Sequence, residues 1–273
     1  MKILIPTDFS KLSKVAVHYA ATIAKKLKAE LVLLHVIFIN APPRAAVAMK
    51  VKTIEDAMAD NAKQDSTQLI NELKKENKNL IVSYEIIRGY PVEDVVEVYA
   101  KHHEIDLVIT GTKGASGLTK VLIGSNAAAV INKSTIPEIT VPEHARFNGI
   151  KRIVYSSDMH ETFPEMQTLI PFARLFGAAI FILHVMPVNS KRKIDIVKIK
   201  KDIISKFDFK DVSIHVSINN EITDGIDGFI ADVKADILTM FTHDLTFSDM
   251  LFGKSVTCEM AFHTGIPLLI IKK

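Results

Sequence analysis

With 273 residues the chain is longer than one average domain, and a hydrophobic share of 48% against 24% charged residues excludes intrinsic disorder. Its 34 basic and 31 acidic residues leave a net charge of only +3, dispersed along the chain, which excludes the electrostatic footprint of a nucleic-acid binder. The single cysteine, Cys258, excludes an internal disulfide and a cysteine-based zinc cluster.

Residues 1–6, MKILIP, read as a buried strand and lack the charged–apolar–small layout of a signal peptide. No apolar run reaches the ~20 residues that span a bilayer, so no membrane span and a cytoplasmic location are expected. Apolar runs then alternate with helical periodicity. Strands are predicted at about 2–6, 30–38, 80–87, 106–110 and 137–141, and helices at about 10–28, 53–77, 91–103 and 123–133. Ser10 is the expected N-cap of the first helix, because its hydroxyl can accept an orphan amide hydrogen. The stretch 41–52, APPRAAVAMKVK, opens on paired prolines and reads as a surface loop, with a lid or a subunit contact as alternatives. Gly89–Tyr90–Pro91 reads as a turn at the rim of the cleft. The alternation is that of βαβ units on a doubly wound parallel sheet, whose ligands belong at the carboxyl ends of the strands.

The second half repeats the first. KILIPTDFS at 2–10 returns as KRIVYSSDM at 151–159, and LVLLHV at 31–36 returns as IFILHV at 180–185. Further on the match is ungapped: Asp106 and Asp236, Ser125 and Ser255, and Pro137 and Pro267 are each 130 positions apart. Two tandem α/β domains are therefore expected, at about 1–143 and 150–273, with a shorter second helix at about 193–206 in the second. The bases Lys191, Arg192, Lys193, Lys198, Lys200 and Lys201 read as a solvated helix face.

The segment with the most chemistry is TGTKGASGLTKVLIGSNAAAV, 110–130. Gly111, two residues, Gly114, nine residues, Gly124 and then Ser125 lead from a predicted strand into a predicted helix. Glycines permit positive φ and let backbone amides approach a phosphate, and the helix behind them offers unpaired N–H groups. Ser125 and Asn126 can add side-chain hydrogen bonds. This loop, together with the PTD turn at 6–8 and the LHV ending of the second strand, resembles the universal stress protein family. The resemblance covers essentially the whole chain as two domains.

It implies a five-stranded parallel sheet of order 3-2-1-4-5 in each domain. It also implies an adenine nucleotide, ATP or ADP with or without Mg²⁺, across the ends of the first, second and fourth strands. By that resemblance Thr7 and Asp8 lie near the adenosine, Val36 meets adenine through its backbone, Gly111, Gly114, Gly124, Ser125 and Asn126 surround the phosphates, and Pro6 and Thr110 belong to the same nucleotide-binding set. A nucleotide-dependent regulator or scaffold in the stress response is implied, with unknown protein partners and a homodimer. A slow ATPase or phosphotransferase, or an interaction module without nucleotide, are the alternatives.

Projected forward by 130 residues, the loop becomes Phe241, Asp244 and Lys254 where Gly111, Gly114 and Gly124 stand, with only Ser255 kept. A ring and a carboxylate oppose close approach of a phosphate, so an impaired second site is expected. No catalytic residue is assigned. His35 and His184 occupy matching strand ends, where they are expected to pack beneath the cleft or bond the backbone. His160, His243, Asp244 and Asp158 lack a recognisable ligand spacing, so no metal site is assigned.

Overall fold

The computed structural model describes residues 1–39, 45–112, 129–131, 133–242, 256, 260 and 264–272, with the backbone alone at 45–49. Two compact units divide the chain, Met1–Arg146 and Phe147–Lys273.

In the first unit the elements follow as β1 (Lys2–Pro6), α1 (Lys11–Leu27), β2 (Glu30–Ile37), α2 (Ala45–Glu76), β3 (Ile81–Arg88), α3 (Val92–His102), β4 (Leu107–Gly111) and β5 (Glu138–Val141). All pairings are parallel and the order is β3-β2-β1-β4-β5. β1 is central, so both its faces are covered; Ile3, Leu4 and Ile5 are fully buried, each contributing about 1.5–3 kcal/mol of apolar burial. Helix α1 starts where Ser10 accepts the Ser13 N–H at 3.1 Å. It stops at Lys28, which is left-handed at φ 51°.

The second unit repeats the plan: β6 (Arg152–Ser156), α4 (Thr162–Phe176), β7 (Ala179–Met186), α5 (Ile196–Phe207), β8 (Val212–Ile218), α6 (Ile222–Val233), β9 (Ile237–Thr242) and β10 (Leu268–Lys272). Its parallel order is β8-β7-β6-β9-β10. The repeated sequence marks do the same work in each unit. Asp106 accepts the Lys2 N–H at 2.7 Å, and Asp236 accepts the N–H groups of Lys151 and Arg152 at 2.8 Å each. Each carboxylate clamps the start of the first strand to the fourth.

One expectation is corrected. The stretch 41–52 is not a loop throughout, because α2 begins at Ala45 and its helix runs through 52. Alanine, methionine and lysine are strong helix formers, and they outweigh the extended bias that Pro42 and Pro43 impose on their own neighbourhood. Residues 40–44 lie outside the described residues.

Candidate functional site

In both units the first strand ends in the same short corner. Thr7 donates its N–H to the Leu34 carbonyl (2.9 Å), and its hydroxyl accepts the Phe9 N–H (3.1 Å). The Asp8 carboxylate accepts the Ser10 N–H at 3.0 Å. Phe9 is thereby held at φ 60°. A left-handed residue with a Cβ costs on the order of 1–2 kcal/mol, and the two side-chain turns supply the compensation. The His35 ring donates from Nδ1 to the Thr7 carbonyl at 2.8 Å and packs on the Phe9 ring at 4.9 Å between centroids.

The second unit copies this bond for bond. Ser157 donates to the Leu183 carbonyl (2.8 Å), Met159 donates to Ser157 Oγ (3.0 Å), and His160 donates its N–H to Asp158 (2.8 Å). Met159 stands at φ 62°, and His184 Nδ1 donates to the Ser157 carbonyl at 2.8 Å. The paired histidines thus tie the corner to the second strand in each unit.

Sheet order gathers the site. β1 lies between β2 and β4, with Pro6 level with Leu34 and Leu4 level with Val108. Adjacent strands run ~4.8 Å apart, so three strand ends fall within about 10 Å of one another at the point where the winding reverses. Pro6, Thr7 and Asp8 from β1, Val36 from β2, and Thr110 and Gly111 from β4 share that edge. Thr7 and Thr110 are buried, Val36 and Gly111 are half-buried, and Asp8 is exposed at the mouth. Gly114, Gly124, Ser125 and Asn126 lie outside the described residues.

The fourth strands differ where the first strands agree. In the first unit Thr110 donates its hydroxyl to the Glu138 carboxylate at 2.5 Å, and the strand ends on Gly111, level with Val141. In the second unit Met240 and Leu268 stand at the places of Thr110 and Glu138, and Phe241 is level with Ile271 as Gly111 is with Val141. The Phe241 ring meets the buried Tyr155 ring edge-on, centroids 5.5 Å apart. Asp244, Lys254, Ser255 and His243 lie outside the described residues.

Two features had little signal in the sequence. Arg192 reaches over the second corner and donates to the carbonyls of Asp158 (2.9 Å) and Met159 (3.4 Å). Nothing but the basic run marked it. At the rim of the first cleft the Phe38 and Tyr90 rings stack at 4.1 Å. The turn at Gly89–Tyr90–Pro91 pointed to one of them. Among the described residues no three or more His, Cys, Asp or Glu side chains gather as metal ligands, and no helix is long and apolar enough to cross a membrane.

Comparison with known proteins agrees with this geometry. The model of the universal stress protein family matches residues 1–142. Two universal stress proteins of Methanocaldococcus jannaschii are each 30% identical to the chain. MJ0531 aligns over 142 residues, 51% of this chain and 81% of its own length. MJ0577 aligns over 153 residues, 51% of this chain and 93% of its own length. The crystal structure of a universal stress protein from Archaeoglobus fulgidus superposes with a TM-score of 0.77 at 18% identity, covering 99% of this chain and 98% of that one. At that identity the likeness establishes the fold.

Proposed function

Since this chain belongs to the universal stress protein family, we propose that its first unit binds an adenine nucleotide, ATP or ADP, and that the protein is a nucleotide-dependent regulator or scaffold in the stress response. The observation that carries this reading is the contrast between two otherwise matching clefts. The first runs from Thr110 and Gly111 straight into the Gly114, Gly124 and Ser125 series, whereas the second places Phe241 at the position of Gly111. A residue without a Cβ is what a polyanion needs where it approaches a strand end; an aromatic ring is what it cannot tolerate.

Pro6, Thr7, Asp8 and the Val36 backbone would take the nucleoside, and Gly111, Gly114, Gly124, Ser125 and Asn126 the phosphates. The corner fits a nucleoside in one respect that does not depend on the loop. It presents an exposed carboxylate, Asp8, beside the half-buried apolar Val36, on a backbone fixed by five hydrogen bonds at Thr7, Asp8 and Ser10. A Mg²⁺ ion accompanying the nucleotide would draw on the phosphate oxygens and, from this chain, on Asp8.

Native mass spectrometry and calorimetric titration with ATP and ADP test the reading. Wild type is expected to take up nucleotide and Gly114→Asp to lose it, because a carboxylate there repels the phosphates. Equal titrations for the two proteins would remove the glycine loop from the site.

A further inference from the structure

The 191–201 segment has a charge distribution unlike that of the unit in which it sits. Residues 147–273 contain fifteen basic and fifteen acidic side chains and are neutral overall. Six of those bases and one of those acids lie within 191–201, so this segment carries +5; the remaining nine bases and fourteen acids leave −5 for everything else in the unit. Local bonding sharpens the separation. The one acid, Asp195, is used as the N-cap of α5, accepting the Lys198 N–H at 2.9 Å. The one arginine, Arg192, is bonded to the Asp158 and Met159 carbonyls and so pins the segment to the rest of the unit. Lys191, Lys193, Lys198, Lys200 and Lys201 are all exposed.

Apolar side chains are exposed beside them. Helix α5 buries only Ile203 completely. Val197 is 75% exposed, Ile196 40% and, just before the segment, Val188 62%. On the outward strip Val197, Lys200, Lys201 and Ile204 lie side by side at helical spacing, lining one shallow depression. Such a strip sets short aliphatic groups between lysines whose stems can lie flat while their ammonium groups spread.

We propose that this strip docks the protein, peripherally and reversibly, on an anionic lipid surface. Three properties favour lipid over other polyanions. Five of the six bases are lysines, point charges suited to a diffuse negative surface, and the one forked guanidinium is already engaged. The segment contains no aromatic side chain of the kind that stacks on nucleic-acid bases or anchors a protein interface. Exposed valine and isoleucine flanked by lysine match the boundary between headgroups and acyl chains. The −5 carried elsewhere in the unit would orient it, lysine strip first, towards such a surface. This inference does not depend on nucleotide binding.

Vesicle flotation of the full chain, without added nucleotide, tests it. Vesicles of phosphatidylcholine alone are expected to leave the protein behind. Vesicles that also contain phosphatidylglycerol should carry it, and raised salt should release it, because the attraction is screened. The combined exchange Lys198→Glu, Lys200→Glu and Lys201→Glu should abolish flotation. Val197→Ser should weaken it several-fold at unchanged charge, which a purely electrostatic attachment would not show. Absence of flotation with the anionic vesicles, or equal flotation of wild type and the triple variant, overturns the proposal. So does retention on a polyglutamate column by a protein that ignores the vesicles, which would assign the strip to an acidic protein partner.

Discussion

Glu97 shows how one residue can distinguish two copies of a domain. It is buried on α3, and it accepts the Thr135 N–H (3.2 Å), the Thr135 hydroxyl (2.8 Å) and the Lys101 ammonium (2.8 Å). Burial by itself would raise its pKa. The bonds from Lys101 and from the side chain and backbone of Thr135 together outweigh burial and hold it below the ordinary value of 4.5. At the matching positions 130 residues on stand Asp227, Ala231 and Gly265, so the lysine and threonine partners of Glu97 are not repeated in the second unit. A carboxyl with a folded-state pKa below its unfolded value stabilises the fold fully above that unfolded value, and the contribution disappears as the pH falls through the folded value. Glu97→Gln should therefore cost about 1–3 kcal/mol at neutral pH, the usual range for disrupting a buried charged hydrogen-bond network. Denaturant melts repeated from pH 7 downward check the sign: the gap between wild type and variant should close below pH 4.5. A gap that widened with acid would mean the carboxylate is not the favoured form.

At the scale of elements, the contact between the end of the third strand and the following helix has been solved twice with the bulk exchanged. In the first unit a Cβ on Gly89 would stand 2.6 Å from Val95 Cγ2. In the second the same two places hold Asn219 and Gly225, where a Cβ on Gly225 would stand 3.3 Å from Asn219 Cβ and 2.7 Å from Val185 Cγ1. The turn backbone is shared, since Gly89 donates to the Ile37 carbonyl (3.1 Å) and Asn219 to the Met186 carbonyl (3.0 Å). Valine on a helix is nearly confined to one rotamer, so it cannot swing clear. Gly89→Asn should cost about 1–3 kcal/mol by overpacking. Adding Val95→Gly should recover part of that loss although glycine weakens the helix by about 1 kcal/mol when alone, giving a coupling of at least ~0.5 kcal/mol in a double-mutant cycle.

Such exchanges explain what could be read from the sequence and what could not. The strands, the repeat and the Ser10 cap were legible because apolar period, constant offset and capping chemistry are local. Asp106 and Asp236 stood out as an offset before their shared role as strand clamps could be known, because that role needs the first and fourth strands side by side. The left-handed Phe9 and Met159 gave no warning, since neither residue type favours positive φ and the corner is imposed by Thr7, Asp8 and their counterparts. The early start of α2 was obscured by Pro42 and Pro43. That the candidate residues at the strand ends, from Pro6 to Asp8 and at Thr110 and Gly111, share one sheet edge was legible once the strand order was expected, because a doubly wound sheet admits one switch point per unit. Arg192 was not, because a long side chain reaching a carbonyl more than thirty positions away has no sequence period.

Across the whole molecule, duplication followed by divergence predicts how many ligands one chain can hold. Both corners keep their hydrogen bonds, so under the proposed reading the corner by itself does not decide which unit takes a nucleotide. That reading assigns the selectivity to the fourth strand and the residues after it, where Gly111 in the first repeat corresponds to Phe241 in the second. One adenine nucleotide per chain is therefore expected. At a free concentration a hundred times its Kd, a ligand that binds only the folded form adds about 2.7 kcal/mol of stability, and that gain should fall on the unit that binds it. Hydrogen exchange read by mass spectrometry can place it. With ATP present, exchange should slow at the amides of residues 7–13 and 110–112, while 157–163 and 240–242 should exchange as they do without it. Gly114→Asp should abolish the slowing. Phe241→Gly should not create a second site, because Asp244 and Lys254 would still stand where Gly114 and Gly124 do in the first repeat. A stoichiometry of two, or slowing confined to the second corner, would show that the divergence of the fourth strands does not govern where the nucleotide goes.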